Sequence, residues 1–155
     1  MRVALIAVGE RVPGWVAEAW STYAARLPRD LVLGLVEVPA GRRAKGADAA
    51  RLVDDEGRRL LAAVPPGARV VALDRTGDAW STEDLAGHLA AWRRDGREVC
   101  LLVGGPDGLS AACLARAEAR WSLSRLTLPH AMVRVVVAEQ LYRAWSMLQN
   151  HPYHR

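Results

Sequence analysis

Residues 99–110 read VCLLVGGPDGLS, residues 121–130 read WSLSRLTLPH, and residues 150–155 read NHPYHR. In the first stretch an apolar run leads straight into Gly104-Gly105-Pro106-Asp107-Gly108. Such a run suits a strand covered on both faces. The glycines after it let backbone N–H and C=O groups approach a ligand closely. Ser110 then caps a helix expected to reach about Trp121. In the second stretch, Leu123 to Leu128 reads as a fifth short strand or extended segment. Pro129 opens a final helix with Val133, Val137, Leu141, Trp145 and Leu148 on one face. The pattern places two strand ends side by side, with loops suited to a small molecule.

Working outward, strand and helix alternate along the rest of the chain. Val3–Val8 is a buried first strand. Pro13 opens a helix in which Trp15, Ala19, Tyr23 and Leu27 recur at four-residue spacing, and Pro28 ends it. Leu31–Val38 is a second strand whose two faces both read as buried. Asp48 caps a helix to about Val64 with Leu52, Val53, Leu60 and Leu61 inward, stopped by Pro65-Pro66-Gly67. Val70–Leu73 is a third short strand ending at Asp74, and Ser81-Thr82-Glu83-Asp84 resembles a capping box for a helix to about Arg94. The alternation predicts an α/β fold with a mostly parallel sheet and helices on both faces, as one domain over residues 1–155.

Composition sets further bounds. With 51% apolar and 25% charged residues the chain is an ordinary globular one. No apolar run approaches a membrane span, and MRVALIAVGE reads as a first strand and not as a signal peptide, so a cytoplasmic location is expected. Cys100 and Cys113 read as buried free thiols. A formal charge of +4 leans towards an anionic partner. Arg42, Arg43 and Lys45, in PAGRRAKGAD at 39–48, read either as a solvated loop or as cations for phosphates.

In open parallel sheets ligands sit beyond the carboxyl ends of strands. That selects Leu73-Asp74, Gly104–Gly108 and Leu126–His130. No phosphate-loop lysine follows the glycines, and GxGxxG, HExxH, CxxC and GxSxG are absent. His151 and His154 lack further ligands nearby, so no metal is expected. Glu139 reads as a structural carboxylate paired with an arginine. The tail instead collects aromatic and cationic side chains, which suit stacking on a base and holding a phosphate.

LIAVGE, VEVPAGRRAKGAD, VALDRTG, LLVGGPDGLS, WSLSRLTLPHAMVRVVVAEQLYRAWS and NHPYHR, in this order, resemble the bacterial 23S rRNA (pseudouridine-N3)-methyltransferase family. That family belongs to the SPOUT class of trefoil-knotted, S-adenosylmethionine-dependent methyltransferases. The resemblance covers essentially the whole chain, with Asp107 standing where glutamate is as common. It implies a C-terminal trefoil knot and a homodimer. It also implies an S-adenosylmethionine site at Leu73, Gly104, Gly105 and Leu123-Ser124-Arg125-Leu126-Thr127-Leu128. The acceptor would be a pseudouridine of 23S rRNA within the ribosome. Methylation at N3 requires loss of the N3 proton; His130, His154 and Arg155 are candidates for removing it or stabilising the anion, Arg155 only electrostatically because it stays charged, with Tyr153 stacking on or orienting the base. Arg42, Arg43 and Lys45 would hold rRNA phosphates. A non-enzymatic ribosome-binding factor and a small phosphotransferase are the rival readings, and the missing phosphate-loop lysine argues against the latter.

Overall fold

The computed structural model describes residues 1–155. Five strands form one wholly parallel sheet: β1 (Arg2–Val8), β2 (Val32–Val38), β3 (Arg69–Ala79), β4 (Val99–Val103) and β5 (Ala119–Ser122), in the order β2-β1-β4-β3-β5. Between and after them run α1 (Gly14–Arg26), α2 (Ala49–Ala62), α3 (Thr82–Asp95), α4 (Ala111–Arg116) and α5 (His130–Leu148). A single 3₁₀ turn covers Pro152–His154. No helix is long and apolar enough to cross a membrane.

The two apolar faces of the central strands explain the layering. Alternate residues of a strand point to opposite faces. Val3, Leu5 and Ala7 of β1 join Leu101 of β4, Trp20 of α1, Leu89 of α3 and Leu141 of α5 in one core. Ala4, Ile6 and Val8 join Cys100, Leu102, Leu60 of α2 and Cys113 of α4 in the other. Both thiols are buried and free, and burial pushes the Cys100 thiol up to about 11, so it stays protonated and inert at neutral pH. Ser81 and Asp84 form the expected capping box on α3, and Asp48 and Ser110 cap α2 and α4.

Four local expectations are corrected. β2 is an edge strand paired only with β1, and Val32 is 51% exposed, so only part of β2 is covered. β3 does not stop at Leu73 but continues to Ala79, with Leu73 and Asp78 both opposite Trp121 and residues 74–77 bulging from the ladder. Gly77 permits this, because a Cβ there would lie 2.6 Å from the Arg120 carbonyl carbon. α4 ends at Arg116, not near Trp121, and the fifth strand is Ala119–Ser122, not Leu123–Leu128. Ala-Glu-Ala-Arg at 117–120 has good helix propensity. The open edge of β3 overrides it: Glu118 N–H donates to the Val70 carbonyl at 2.8 Å, and the chain adds to the ladder. Residues 123–129 then form a loop, turned by Ser124, whose Oγ accepts from Leu126 N–H. On α5, Val137 and Leu141 are buried as expected, whereas Leu148 is exposed, and Arg134 lies fully inside.

Gly57 of α2 faces the start of α4 at very short range. A Cβ there would fall 2.2 Å from Ser110 Oγ, the oxygen that caps α4. Gly57→Ala is therefore expected to lower stability by about 1–3 kcal/mol through overpacking and loss of that cap, read by urea unfolding. A change within about 0.3 kcal/mol would mean that α4 shifts freely.

Candidate functional site

The bulge of β3, the turn after β4 and the loop after β5 meet beyond the carboxyl edge of the sheet. They enclose a cavity of about 540 Å³. Its wall includes Leu73, Gly104, Gly105, Leu123, Ser124, Leu126, Thr127, Leu128 and His130, so the three strand ends read from the sequence converge on one space. Arg125, between them, does not line it. Leu126 stands 75% exposed, an apolar side chain in water at a ligand-sized opening. Asp74, Arg75, Asp107, Trp121 and Ser122 also line it. Asp74 and Asp107 belong to the strand ends selected from the sequence. Arg75 and Trp121 gave no signal, because the bulge and the position of β5 that bring them there were not foreseen.

The turn after β4 is held by its own backbone. Gly108 N–H donates to the Gly105 carbonyl at 3.1 Å, and Gly108 has φ of +82°. A Cβ on Gly104 would lie 2.4 Å from the carbonyl carbon of Gly108. Side chains at these positions would reshape the turn.

Beneath it lies Glu56 of α2, which no motif or spacing in the sequence singles out. It is 1% exposed. Its carboxylate accepts from Gly41 N–H and from both terminal nitrogens of Arg43, at 2.7 and 2.9 Å. Burial acts to raise its pKa, but the hydrogen bonds from Arg43 and Gly41 outweigh that and hold the carboxyl below its ordinary value. Arg43 also donates through Nε to Asp107 at 3.1 Å. It is therefore not the free phosphate-binding cation expected from PAGRRAKGAD. Arg42 and Lys45 of the same loop are exposed and have no carboxylate partner.

The tail lies elsewhere. None of Tyr153, His154 and Arg155 lines the cavity of its own chain. The Tyr153 hydroxyl donates to Glu139 at 3.1 Å, its ring packs on Tyr142 at 4.5 Å, and the Arg143 guanidinium lies over it at 4.9 Å. Glu139 is nine residues along α5 from His130, roughly 13 Å at 1.5 Å per residue. Glu139 pairs with Arg143, the structural role expected for it. Burial, with the neighbouring Tyr23 hydroxyl and Glu139, raises the pKa of Tyr153 far above neutrality, so it is a phenol and not a proton acceptor.

A parallel sheet whose carboxyl edge carries a ligand-sized cavity, walled by glycine backbone and a loop from the C-terminal third of the chain, defines an α/β protein built to hold a small organic ligand. A family model described as "Predicted SPOUT methyltransferase" matches residues 1–154, and the chain belongs to that family. It is 61% identical over 155 residues to the "Ribosomal RNA large subunit methyltransferase H" of Alkalilimnicola ehrlichii, covering 100% of this chain and 99% of that protein. The protein of the same name from Methylococcus capsulatus is 57% identical, with 100% of both covered. Among solved structures, one described under "Structural insights into the 2-OH methylation of C/U34 on tRNA" matches with a TM-score of 0.53 at 25% identity, covering 97% of this chain and 98% of that one. A probable methylase family protein from Haemophilus influenzae has a TM-score of 0.56 at 16% identity, covering 99% and 70%, and shares the fold.

Proposed function

We propose that this protein, acting as a single domain with a C-terminal trefoil knot, transfers a methyl group from S-adenosylmethionine to N3 of a pseudouridine in 23S rRNA of the assembled ribosome. The observation that carries the reading is the cavity formed by Leu73, Gly104-Gly105 and residues 123–128 in a chain of the SPOUT methyltransferase family. The names of the relatives from Alkalilimnicola and Methylococcus support the large-subunit rRNA as the substrate.

The residues present fit the cofactor. Leu73, Val103, Leu123 and Leu128 offer apolar walls for a flat ring, and the backbone at Gly104-Gly105 offers hydrogen-bonding edges. Asp74 places a carboxylate in the wall, favourable to a cationic ligand. When bound, S-adenosylmethionine supplies an electrophilic methyl carbon, and its sulfur keeps the electron pair of the bond that breaks.

The chain must do three other things. It holds the acceptor in line with the methyl carbon. It takes the N3 proton, so that the freed lone pair forms the new N–C bond. It stabilises the charge left on N3. His130 accepts the proton in this reading, which its exposure on the cavity wall supports. Arg155, always charged, acts electrostatically, and Tyr153 and His154 orient the base. Because the tail packs against Glu139, Tyr142 and Arg143 and lines no part of its own chain's cavity, we assign it to the cavity of a second copy in a homodimer. Arg42 and Lys45 hold rRNA phosphates.

Arg155→Ala is expected to slow methyl transfer by about a hundredfold to a thousandfold while leaving cofactor affinity nearly unchanged, as removal of a transition-state donor does. An equal loss of cofactor binding, measured by calorimetry, would contradict this division of labour. The function itself is tested by transfer of labelled methyl to ribosomes with and without pseudouridine in the large-subunit rRNA. Label confined to the pseudouridine-containing particles supports the reading. Label on both removes the acceptor, and label on neither overturns the proposal.

A further inference from the structure

Arg43 and Glu56 form an ion pair under the cavity whose purpose the methyl transfer just described leaves open. With Asp107, the pair joins the 41–43 loop, α2 and the turn after β4. Gly41 N–H and Arg43 bring residues 41–43 onto Glu56, at 2.8 Å for the Gly41 bond, and Arg43 Nη1 also donates to the Gly41 carbonyl at 3.0 Å. Nε of the same guanidinium reaches Asp107 in the turn after β4. Gly105 lies directly over the pair: a Cβ there would be 3.5 Å from Glu56 Oε1 and 3.6 Å from Arg43 Nη2. Each of the three guanidinium nitrogens donates to a carboxylate.

We infer that Arg43 and Glu56 are positioning residues, a latch that fixes the Gly104–Gly108 turn in the shape that receives the cofactor. This rests on the proposed cofactor site. A buried carboxylate needs its partners, so Glu56 fixes the guanidinium, and the guanidinium fixes Asp107. The planar fork can bond Glu56 through two nitrogens and Asp107 through the third. A lysine ammonium is a single point and has no such geometry. Loss of the latch leaves a looser turn, which must be ordered when the cofactor binds, and that ordering lowers affinity.

The conservative exchange separates this from phosphate binding. Arg43→Lys keeps the positive charge and loses the fork. Under the latch it behaves like Arg43→Gln; as a phosphate contact it would behave like wild type. Hydrogen exchange is followed at the backbone amides of Gly104, Gly105 and Gly108 in the free protein, with those of β1 and β4 as internal controls. Calorimetry with S-adenosylmethionine and steady-state kinetics on ribosomes complete the set. For both variants the turn amides exchange at least about fivefold faster, those of β1 and β4 keep their rates, and the Kd for S-adenosylmethionine rises about three- to tenfold. KM for S-adenosylmethionine rises more than kcat falls. Wild-type exchange and Kd in Arg43→Lys, with a raised KM for ribosomes in Arg43→Gln, overturns the latch. If wild-type protein takes up no S-adenosylmethionine while the turn amides still respond, the cofactor reading fails and the latch stands as a support of the turn.

Discussion

Gly104→Ala is expected to weaken S-adenosylmethionine binding by at least about tenfold, or 1.4 kcal/mol, and to reduce methyl transfer by about a hundredfold, with the fold retained. The added Cβ would meet three backbone atoms: the Gly108 carbonyl carbon at 2.4 Å, its oxygen at 2.5 Å and Leu109 N at 2.8 Å. No side chain stands there to rotate away. The turn itself must open, and a displacement of about 1 Å in a positioning group costs roughly a hundredfold in rate. The same change at Gly105 meets Val8 Cγ1 at 3.1 Å, a side-chain atom that can yield, so its effect is smaller. Calorimetry and thermal melts of both variants check the order. A Gly104→Ala protein that binds the cofactor as wild type does would show that this turn does not hold it.

Arg134→Met is expected to lower stability by about 3 kcal/mol, at the low end of the range for breaking a buried ion pair. Arg134 is the largest fully buried side chain, 1% exposed on α5. It donates to Glu37 at the end of β2, at 2.7 Å, and to the Gly9 carbonyl just past β1, at 2.6 Å. Methionine fills most of its volume and leaves both acceptors without their donor. Glu37 is a third exposed and regains some water, which keeps the cost near the lower bound. For a chain of this length the Tm should fall by roughly 6–12 °C. The double variant Arg134→Met, Glu37→Met should recover much of the loss, because it removes the stranded carboxylate together with its partner. No recovery would mean that the arginine acts mainly through Gly9.

The elements most easily foreseen are those whose residues answer to local rules. β1 and β4 are continuous apolar runs with a core on each face, and the caps at Asp48, Ser81 and Ser110 sit where short polar side chains precede amphipathic stretches. The glycine turn was legible as a ligand loop because it lies at a strand end, whereas residues 123–128 read as a strand and only Leu126–His130 as a ligand-facing end. Arg43 was not legible in its actual role. A cation beside Arg42 and Lys45 looks like one of three solvated charges until Glu56 and Asp107, 13 and 64 residues away in sequence, are brought beside it.

By itself, then, the sequence determined the α/β class, the parallel alternation and where along the chain the three walls of the cavity fall, since hydrophobic period, caps and glycine turns act over a few residues. Tertiary structure alone decided that Ala119–Ser122 is a strand, because the open edge of β3 needed partners more than those residues favoured helix. It decided that Arg134 is buried, because Glu37 and Gly9 meet it there. It also set the tail against Glu139 and Tyr142, outside the cavity of its own chain. Each of these depends on hydrogen bonds or ion pairs between distant segments, whose free energy exists only once the sheet has brought the partners together.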